Sequence, residues 1–483
     1  MSTRLRTFDK IFHHTVNFPR ARVAEWFARP GAVTRLTPGL IPMSPKSEAS
    51  SLVDGTTVFS LPIGGRWVAQ HQGAEFEPGK QFVDVVTNQP FAALTGWRHT
   101  HRLEDAISLT GAGQATALVD TVFTKVPVPG LRSMFSYRAT KVAGDLDAVD
   151  KLSSYLGYSP KPLTVAMTGA SGTVGTQLRA LLMTAGHTVV SLVRRPEQTR
   201  PAGENGDGDG GARLWDTAQP APDLLDGVDA VVHLAGAPIA GHFCDSHVAK
   251  VRHSRVEPTR ALAEVVAQSP TVKVAIGASA VGFYGADRGG QVLDENAAVG
   301  PEAAAYDGTA ATDNLAAIVR DWEAAWEPAR KAGTRVVTVR TGLVLAGGGG
   351  LLPLLASVVF TGLGGPLGDG KQWFPWIALD DLLDIHHRAL VDPALSGPVN
   401  ATAPITSGVN NAEFTKVLGK VLRRPTAIPV PKVGPRILLG KRGARELALA
   451  NQKVDAVVLA KAGHEFRFAS LQRALEHELL KER

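Results

Sequence analysis

Leu163-Thr-Val-Ala-Met-Thr-Gly-Ala-Ser-Gly-Thr-Val-Gly175 begins as a strand and runs into a helix, with a glycine turn between. Leu163 to Met167 is a short apolar run of the kind that forms a buried parallel strand. Gly169, Gly172 and Gly175 follow at once, and Gln177 to Thr184 carries a helical pattern. A strand that breaks on glycines into a helix offers bare backbone N–H groups and a positive helix end to a pyrophosphate. The cofactor contacts expected in this turn are Gly169, Ser171, Gly172, Thr173, Val174 and Gly175.

Three downstream features fit the same reading. The next strand pattern, His187 to Val193, ends where an acidic residue ordinarily holds the ribose, about 20 positions past the glycines. Arg194 and Arg195 stand there instead, and guanidinium groups suit a 2′-phosphate, so the expected cofactor is NADP rather than NAD. Two solvated arginines at a strand end are the plainer alternative. Val228 to Gly236 is an apolar strand ending in a small-residue turn, which makes His233, Leu234, Ala235 and Gly236 further candidate contacts. Val274 to Gly285 delivers Ser279 to the carboxyl edge of the sheet, and Arg255 and Arg340 complete the candidate cofactor set.

These segments resemble the short-chain dehydrogenase/reductase superfamily in its extended or atypical branch, the nucleoside-diphosphate-sugar epimerase-like proteins. The Gly-x-x-Gly-x-x-Gly spacing is that branch's form of the fingerprint. The resemblance continues through Trp322-Glu323, Arg340-Thr-Gly-Leu-Val-Leu345, Phe374-Pro-Trp-Ile-Ala-Leu-Asp-Asp381, Asn400-Ala-Thr-Ala-Pro404 and Asn411-Ala-Glu-Phe414. It implies a Rossmann-type cofactor domain at 163–400 and a C-terminal substrate cap at 401–483.

Residues 1–156 read differently. Strand patterns at Phe8–Val16, Thr56–Leu61, Arg66–Gln72, Gln81–Val86, Trp97–Leu103 and Ala115–Phe123 are punctuated by Gly, Pro, Asn and Asp. An apolar stripe, Phe135, Ala139, Val142, Leu146, Val149, Leu152 and Leu156, then marks one long helix. This element order resembles the helix-grip fold of START-like and polyketide-cyclase-like proteins, which implies an apolar ligand between sheet and helix. Residues 157–162, with two prolines, read as a linker between independently folded pieces. The expected fold class is therefore α/β, a doubly wound parallel sheet with a cap, preceded by an α+β unit.

Composition describes an ordinary globular chain: 483 residues, net charge +6, 44% hydrophobic, and no apolar run of membrane-spanning length. The single cysteine, Cys244, excludes an internal disulfide and fits a cytoplasmic location. Residues 411–450 carry nine Lys or Arg against two Glu, yet Phe414 is the one aromatic there, so nucleic acid is not an expected partner. The substrate is expected to be a small molecule.

The catalytic expectation is weaker than the cofactor one. A short-chain dehydrogenase pairs a Tyr with a Lys four residues on, plus a Ser that polarises the reacting oxygen. Ser279 can take the last role, but in the segment after it the Tyr-x-x-x-Lys pair is missing: Tyr284 is followed four residues on by Arg288 and Tyr306 by Ala310. Tyr284 stands as a substitute proton donor, with packing at the sheet edge as its alternative. The helix expected at 313–329 offers Val319 with Glu323, or Ile318 with Trp322. His99 and His101 alternate on one strand face without a third ligand nearby in sequence, so no metal is expected. Asp380 reads as a helix cap, and Trp373, Phe374 and Trp376 read equally well as pocket wall or core.

Overall fold

The structure is a computed structural model describing residues 8–108, 111, 113–203, 208–300 and 313–482. One of its two large sheets has seven strands, ordered Asp209–Leu214, Thr188–Val193, Thr164–Thr168, Ala230–His233, Val274–Ala280, Arg335–Thr341 and Gly397–Ala401. Every neighbouring pair is parallel. Counted from the glycine strand, this is the doubly wound order 3-2-1-4-5-6-7. Val165, Ala166 and Met167 have no exposed surface, as a central strand covered on both faces requires.

Local signals misplace three details. The helix after the glycines starts at Thr173, not Gln177, because the chain turns helical directly past Gly172. The edge strand Asp209–Leu214 begins in the glycine-rich stretch with Gly208, Gly210 and Gly211, whose sequence carries no apolar alternation to mark a strand. The helix expected at 313–329 is split into Asn314–Ala324 and Glu327–Lys331, with Pro328 in the first turn of the second.

The other large sheet is antiparallel and also seven-stranded, ordered Phe8–Val16, Gln114–Thr124, Arg98–Ile107, Gln81–Val86, Arg66–His71, Thr56–Ser60 and Ser44–Ser47. Helix Leu131–Leu156 covers it, bounded by Gly130 and Gly157 at positive φ. Phe135, Val142 and Leu146 of the expected stripe are buried against this sheet, each contributing about 1.5–3 kcal/mol of apolar burial. The space between sheet and helix differs from the expected apolar-ligand site. Phe12 stacks on Phe135 at 4.6 Å and Phe82 on His101 at 4.0 Å, while Asp84, His99, Asp120 and Arg138 meet beside them. Such a cluster of charges disfavours an apolar guest, so that expectation is corrected.

The same helix buries a second, polar face formed by Tyr137, Lys141 and Asp145, with Ala148 buried beside them. This face meets the parallel-sheet half of the chain. Arg35 grips Asp145 with two hydrogen bonds of 2.8 and 2.7 Å and reaches Asp380 at 2.9 Å. Lys141 Nζ lies 2.6 Å from the other Asp380 oxygen, and Arg467 joins Asp145 at 2.8 Å to Asp384 at 2.5 Å. Asp380 is thus an interface ligand and not the helix cap expected from its position. Gly31 keeps the contact close: a Cβ there would sit 2.6 Å from the carbonyl oxygen of Ala180. The two halves are joined through a dry charged seam, so residues 157–162 are not what holds them together.

Removing Arg35 leaves Asp145 and Asp380 short of a buried partner, a change that costs about 3–5 kcal/mol. Arg35→Ala is expected to lower the urea midpoint and to expose 157–162 to a broad-specificity protease; unchanged midpoint and protection would disprove the role. The seam also has a pH signature. Burial alone would raise Asp380 and Asp145, but Lys141 and Arg35 hold Asp380 well below the usual range and Arg35 lowers Asp145. Their contribution is complete above the unfolded carboxylate value of about 3.9 and is lost as pH falls through the lower folded values. Proteolysis between the halves is expected to begin in acid below about pH 4 and not at pH 6.

Candidate functional site

The glycine turn lies where strand order reverses, the crevice in which doubly wound sheets bind ligands. Its glycines do three different jobs. Gly169 has φ +70°, and a Cβ there would stand 2.8 Å from the backbone carbon of Leu234. Gly172 faces open space, with the Gly169 oxygen 3.4 Å from its would-be Cβ. Gly175 is packing: its Cβ would lie 2.1 Å from the same oxygen. Ser171, Gly172 and Thr173 are exposed and Val174 is partly buried at the start of the helix Thr173–Thr184. The Gly172 N–H is taken by the Gly169 oxygen at 3.0 Å, so the backbone N–H groups of Ser171, Thr173 and Val174, with the helix dipole, make the turn ready for an anion.

Around it the expected residues divide into two groups. Arg194 and Arg195 are both exposed at the end of Thr188–Val193, outside any ion pair among the described residues. Leu234, Ala235 and Gly236 form the facing turn, where Thr168 Oγ1 accepts from the Leu234 and Ala235 N–H groups at 3.2 Å. Arg255 lies behind Gly236, whose Cβ would meet its guanidinium carbon at 2.9 Å. It is 7% exposed, its Nε has no partner, and no carboxylate pairs with it among the described residues. Burial lowers it to about 10. A buried arginine without a counter-ion is expensive unless an anion arrives.

His233 and Arg340 belong to the other group and are corrected here. His233 is fully buried, with Thr168 Oγ1 at 2.8 Å on one ring nitrogen and Thr259 Oγ1 at 2.9 Å on the other. Burial, then Arg255, drops its pKa to about 3, so it is a neutral internal pin. Arg340 is held by Glu323 through bonds of 2.9 and 2.8 Å and donates to Tyr284 Oη at 3.1 Å. Neither side chain has a free group for a cofactor.

Ser279, Arg340 and Asn400 are lateral neighbours on three adjacent parallel strands. Ser279 Oγ donates to Glu323 at 2.6 Å, and Tyr284 Oη donates to Asn400 Oδ1 at 2.7 Å. Tyr284 is fully buried, and burial pushes it up to about 12 against the pull of Arg340. Both candidate hydroxyls are therefore committed to an internal network. Glu323, one of the inward candidates on its helix, is the hub that joins Ser279 to Arg340. Tyr306 lies outside the described residues.

Beside the glycine turn is a cavity of ≈ 540 Å³ that both halves of the chain line. Ser171, Gly172, Thr173 and Gln177 of the glycine turn and its helix line it together with Thr37, Ile41, Met43 and Leu61 of the N-terminal half, and with Tyr137 and Glu478. Sequence patterns gave no sign of this lining, since its parts come from distant segments. Trp376 and Phe374 are core residues: Trp376 is 1% exposed, and Phe374 stacks on Phe414 at 4.2 Å. No described helix is long and apolar enough to cross a membrane.

Sheet order, glycine turn and anion-ready helix end define a Rossmann-type nucleotide-binding protein. The NAD dependent epimerase/dehydratase family matches residues 165–401, and a domain of unknown function (DUF1731) matches residues 430–478. The epimerase family protein Mb2239 of Mycobacterium bovis is 38% identical over 316 residues, 64% of this chain and 96% of that protein. A crystal structure described as the nucleoside-diphosphate sugar epimerase of Corynebacterium glutamicum is 43% identical, with a TM-score of 0.81 over 98% of this chain and 91% of that one. The human epimerase family protein SDR39U1, crystallised with NADPH, is 30% identical over 66% of this chain and all of its own, with a TM-score of 0.56. The chain belongs to the NAD-dependent epimerase/dehydratase family.

The unequal glycine roles give a stability test. Gly175→Ala overpacks the strand–helix corner, a change that costs about 1–3 kcal/mol, whereas Gly172→Ala meets nothing closer than an ordinary contact. Thermal unfolding is expected to show a clear drop for the first and little change for the second. Equal midpoints would mean that the corner yields freely.

Proposed function

We propose that the chain is an NADP-dependent epimerase- or reductase-like protein acting at a carbinol carbon of a small molecule. The observation that carries this reading is the pairing of an open anion-ready turn with arginines that have no carboxylate partner among the described residues, Arg194 and Arg195 in solvent and Arg255 buried, its NH1 donating only to Val251 and Ser254 oxygens. The open space at Gly172 and the orphaned Nε of Arg255 fit an anionic dinucleotide. The turn at 169–175 would hold the pyrophosphate, Arg194 and Arg195 the 2′-phosphate, and Leu234 to Gly236 with Arg255 the facing wall. When bound, the nicotinamide supplies the hydride chemistry. The cavity beside the turn supports a role for the N-terminal half in closing this site.

The division of labour proposed with it has a helix-grip, START-like domain at 1–156, a linker at 157–162, the cofactor domain at 163–400 and a substrate cap at 401–483. One exposed cysteine supports a reducing, cytoplasmic setting. A second reading has its own support. Ser279, Tyr284 and Arg340 are held in one network through Glu323, and neither Tyr284 nor Tyr306 in the cofactor half has a Lys four residues on, so a binding protein that senses NADP without turnover also fits. Removing a hydride from a carbinol also frees its hydroxyl proton, and under that reading Ser279 and Tyr284 are not free to take it.

NADPH is expected to bind at least about tenfold more tightly than NADH, in keeping with a charge-assisted phosphate contact of roughly 1.5–3 kcal/mol. Fluorescence titration checks this, and the double variant Arg194→Ala, Arg195→Ala is expected to erase the preference. Equal affinities in the unmodified protein would refute NADP selectivity. Gly172→Val is expected to fold and lose the cofactor, since the side chain would fill the pyrophosphate space. Transfer of deuterium from labelled NADPH to any carbonyl substrate would exclude the sensor reading.

A further inference from the structure

The site at the sheet edge leaves unexplained a polar cluster on the other side of the molecule, inside the N-terminal sheet. His99 and His101 alternate on strand Arg98–Ile107 and point to one face, toward helix Leu131–Leu156. Asp84 is the cross-strand partner of His99, and Asp120 is the cross-strand partner of His101. Three adjacent strands therefore place two imidazoles and two carboxylates together, although 36 positions separate Asp84 from Asp120 (120 − 84). His99 and His101 are 4% and 7% exposed.

We propose that Asp84, His99 and His101 form a binding site for one divalent transition-metal ion, with Asp120 orienting the two histidines from behind. Asp84 Oδ2 lies 3.2 Å from His101 Nε2 and 3.6 Å from His99 Nδ1. One ligand atom from each of the three residues falls within a 4.8 Å group. Ligands about 2.0–2.2 Å from a shared ion stand about 3–3.5 Å apart, so small side-chain adjustments bring these atoms onto one centre. The far nitrogens are also matched. His99 Nε2 is 2.8 Å and His101 Nδ1 is 3.2 Å from the same oxygen, Asp120 Oδ1. A carboxylate receiving the second N–H of a ligating histidine is the arrangement that fixes tautomer and ring orientation at metal centres. It leaves His99 Nδ1 and His101 Nε2 bare, facing the Asp84 carboxylate, three lone pairs converging without a proton between them.

Charge balance points the same way. Asp84 and Asp120 bring two negative charges, and Arg138 brings one positive charge, 3.8 Å from Asp120 Oδ1. His71 donates its Nδ1 hydrogen to the Ser51 oxygen at 2.8 Å, and burial lowers both it and His14, the other histidine near Asp120. Two carboxylates against one guanidinium leave the enclosed space one positive charge short, which a bound cation would supply. Phe82 stacks on His101 at 4.0 Å and Phe135 meets His99 edge-on at 5.1 Å, so the surroundings exclude water. Two imidazoles and one carboxylate select zinc, iron or a related ion over calcium and magnesium, which prefer oxygen.

A closed hydrogen-bond network is the competing arrangement. Arg138 NH2 is 3.1 Å from His101 Nδ1, and if it donates there, His101 donates to Asp84 instead and the lone pairs no longer converge. Asp380, His477 and Glu478 form a similar group, but Arg35 and Lys141 already occupy both Asp380 oxygens. Untagged full-length protein, stripped with a chelator, is titrated with Zn²⁺ and with Co²⁺. One equivalent of each is expected to bind, with cobalt ligand-field absorption and a zinc-dependent rise in thermal midpoint. His101→Ala and Asp84→Ala are expected to lose that equivalent, while Asp120→Asn keeps it with about 10- to 100-fold weaker affinity. Failure of the stripped wild-type protein to take up either ion, or full binding by a folded His101→Ala variant, would overturn the site in favour of the closed network. If the variants do not fold, the wild-type stoichiometry and thermal shift decide.

Discussion

Arg35, Lys141 and Arg467 face Asp145, Asp380 and Asp384 across a seam that excludes water, and the relation of the two large sheets depends on it. Each of these three cations lies against at least one of these three carboxylates. Pairing matters here because a buried charge without its partner costs far more than the pair returns. The geometry is correspondingly demanding. Arg35 uses both edges of its guanidinium, one for Asp145 and one shared with Asp380, while Gln177 Oε1 takes NH1 at 2.9 Å. An apolar interface would tolerate sliding; a multidentate one accepts a single register. That register sets where the N-terminal residues around Met43 stand over the glycine turn.

The nucleotide half of the molecule separates rigidity from openness. Ser279, Glu323, Arg340, Tyr284 and Asn400 satisfy one another beneath the carboxyl edge of the sheet. Such a fully paired network holds three strands and a helix in one arrangement, and its strength lies in having no spare group. The glycine turn is the opposite: Ser171, Gly172 and Thr173 are exposed, and among the described residues its flanking arginines have no carboxylate partner. Ligand chemistry belongs where polar groups await partners, and structural chemistry where they have them. On this criterion Arg255 moves toward the cofactor and Arg340 away from it, although both are arginines near the same crevice.

Local patterns in the chain were a good guide to these features wherever the determinant was local. Gly169, Gly172 and Gly175 and the apolar runs around them specify turn, strand and helix within a few residues, and the long stripe from Phe135 specifies its helix. The strand at Asp209–Leu214 escaped because it lacks the apolar alternation that marks a half-buried strand. The paired roles escaped for another reason. Arg35 and Asp380 are 345 positions apart, and nothing in either neighbourhood reveals the other. Lys141 and Asp145 were visible only as polar residues off the apolar stripe, where an exposed face was the natural reading. His99 and His101 were seen as a pair, but their carboxylates come from neighbouring strands, and only strand register brings them together.

Helix Leu131–Leu156 is the element through which these separate chemistries communicate. Its apolar side, led by Phe135, closes the interior that holds His99 and His101, and Arg138 reaches the same cluster. Three residues further on, Lys141 enters the interface with Asp380, and Tyr137 lines the cavity beside the glycine turn. A rigid helix of 26 residues transmits displacement at one end with little loss to the other. Its polar face is bound to a network that resists sliding, and its apolar face to a core that resists compression. The physical consequence is that the N-terminal sheet cannot shift independently of the wall it presents to the nucleotide turn. A change in packing around His99 and His101 therefore has a mechanical route to the cavity, and that route runs along a single helix whose two buried faces serve the two halves of the chain.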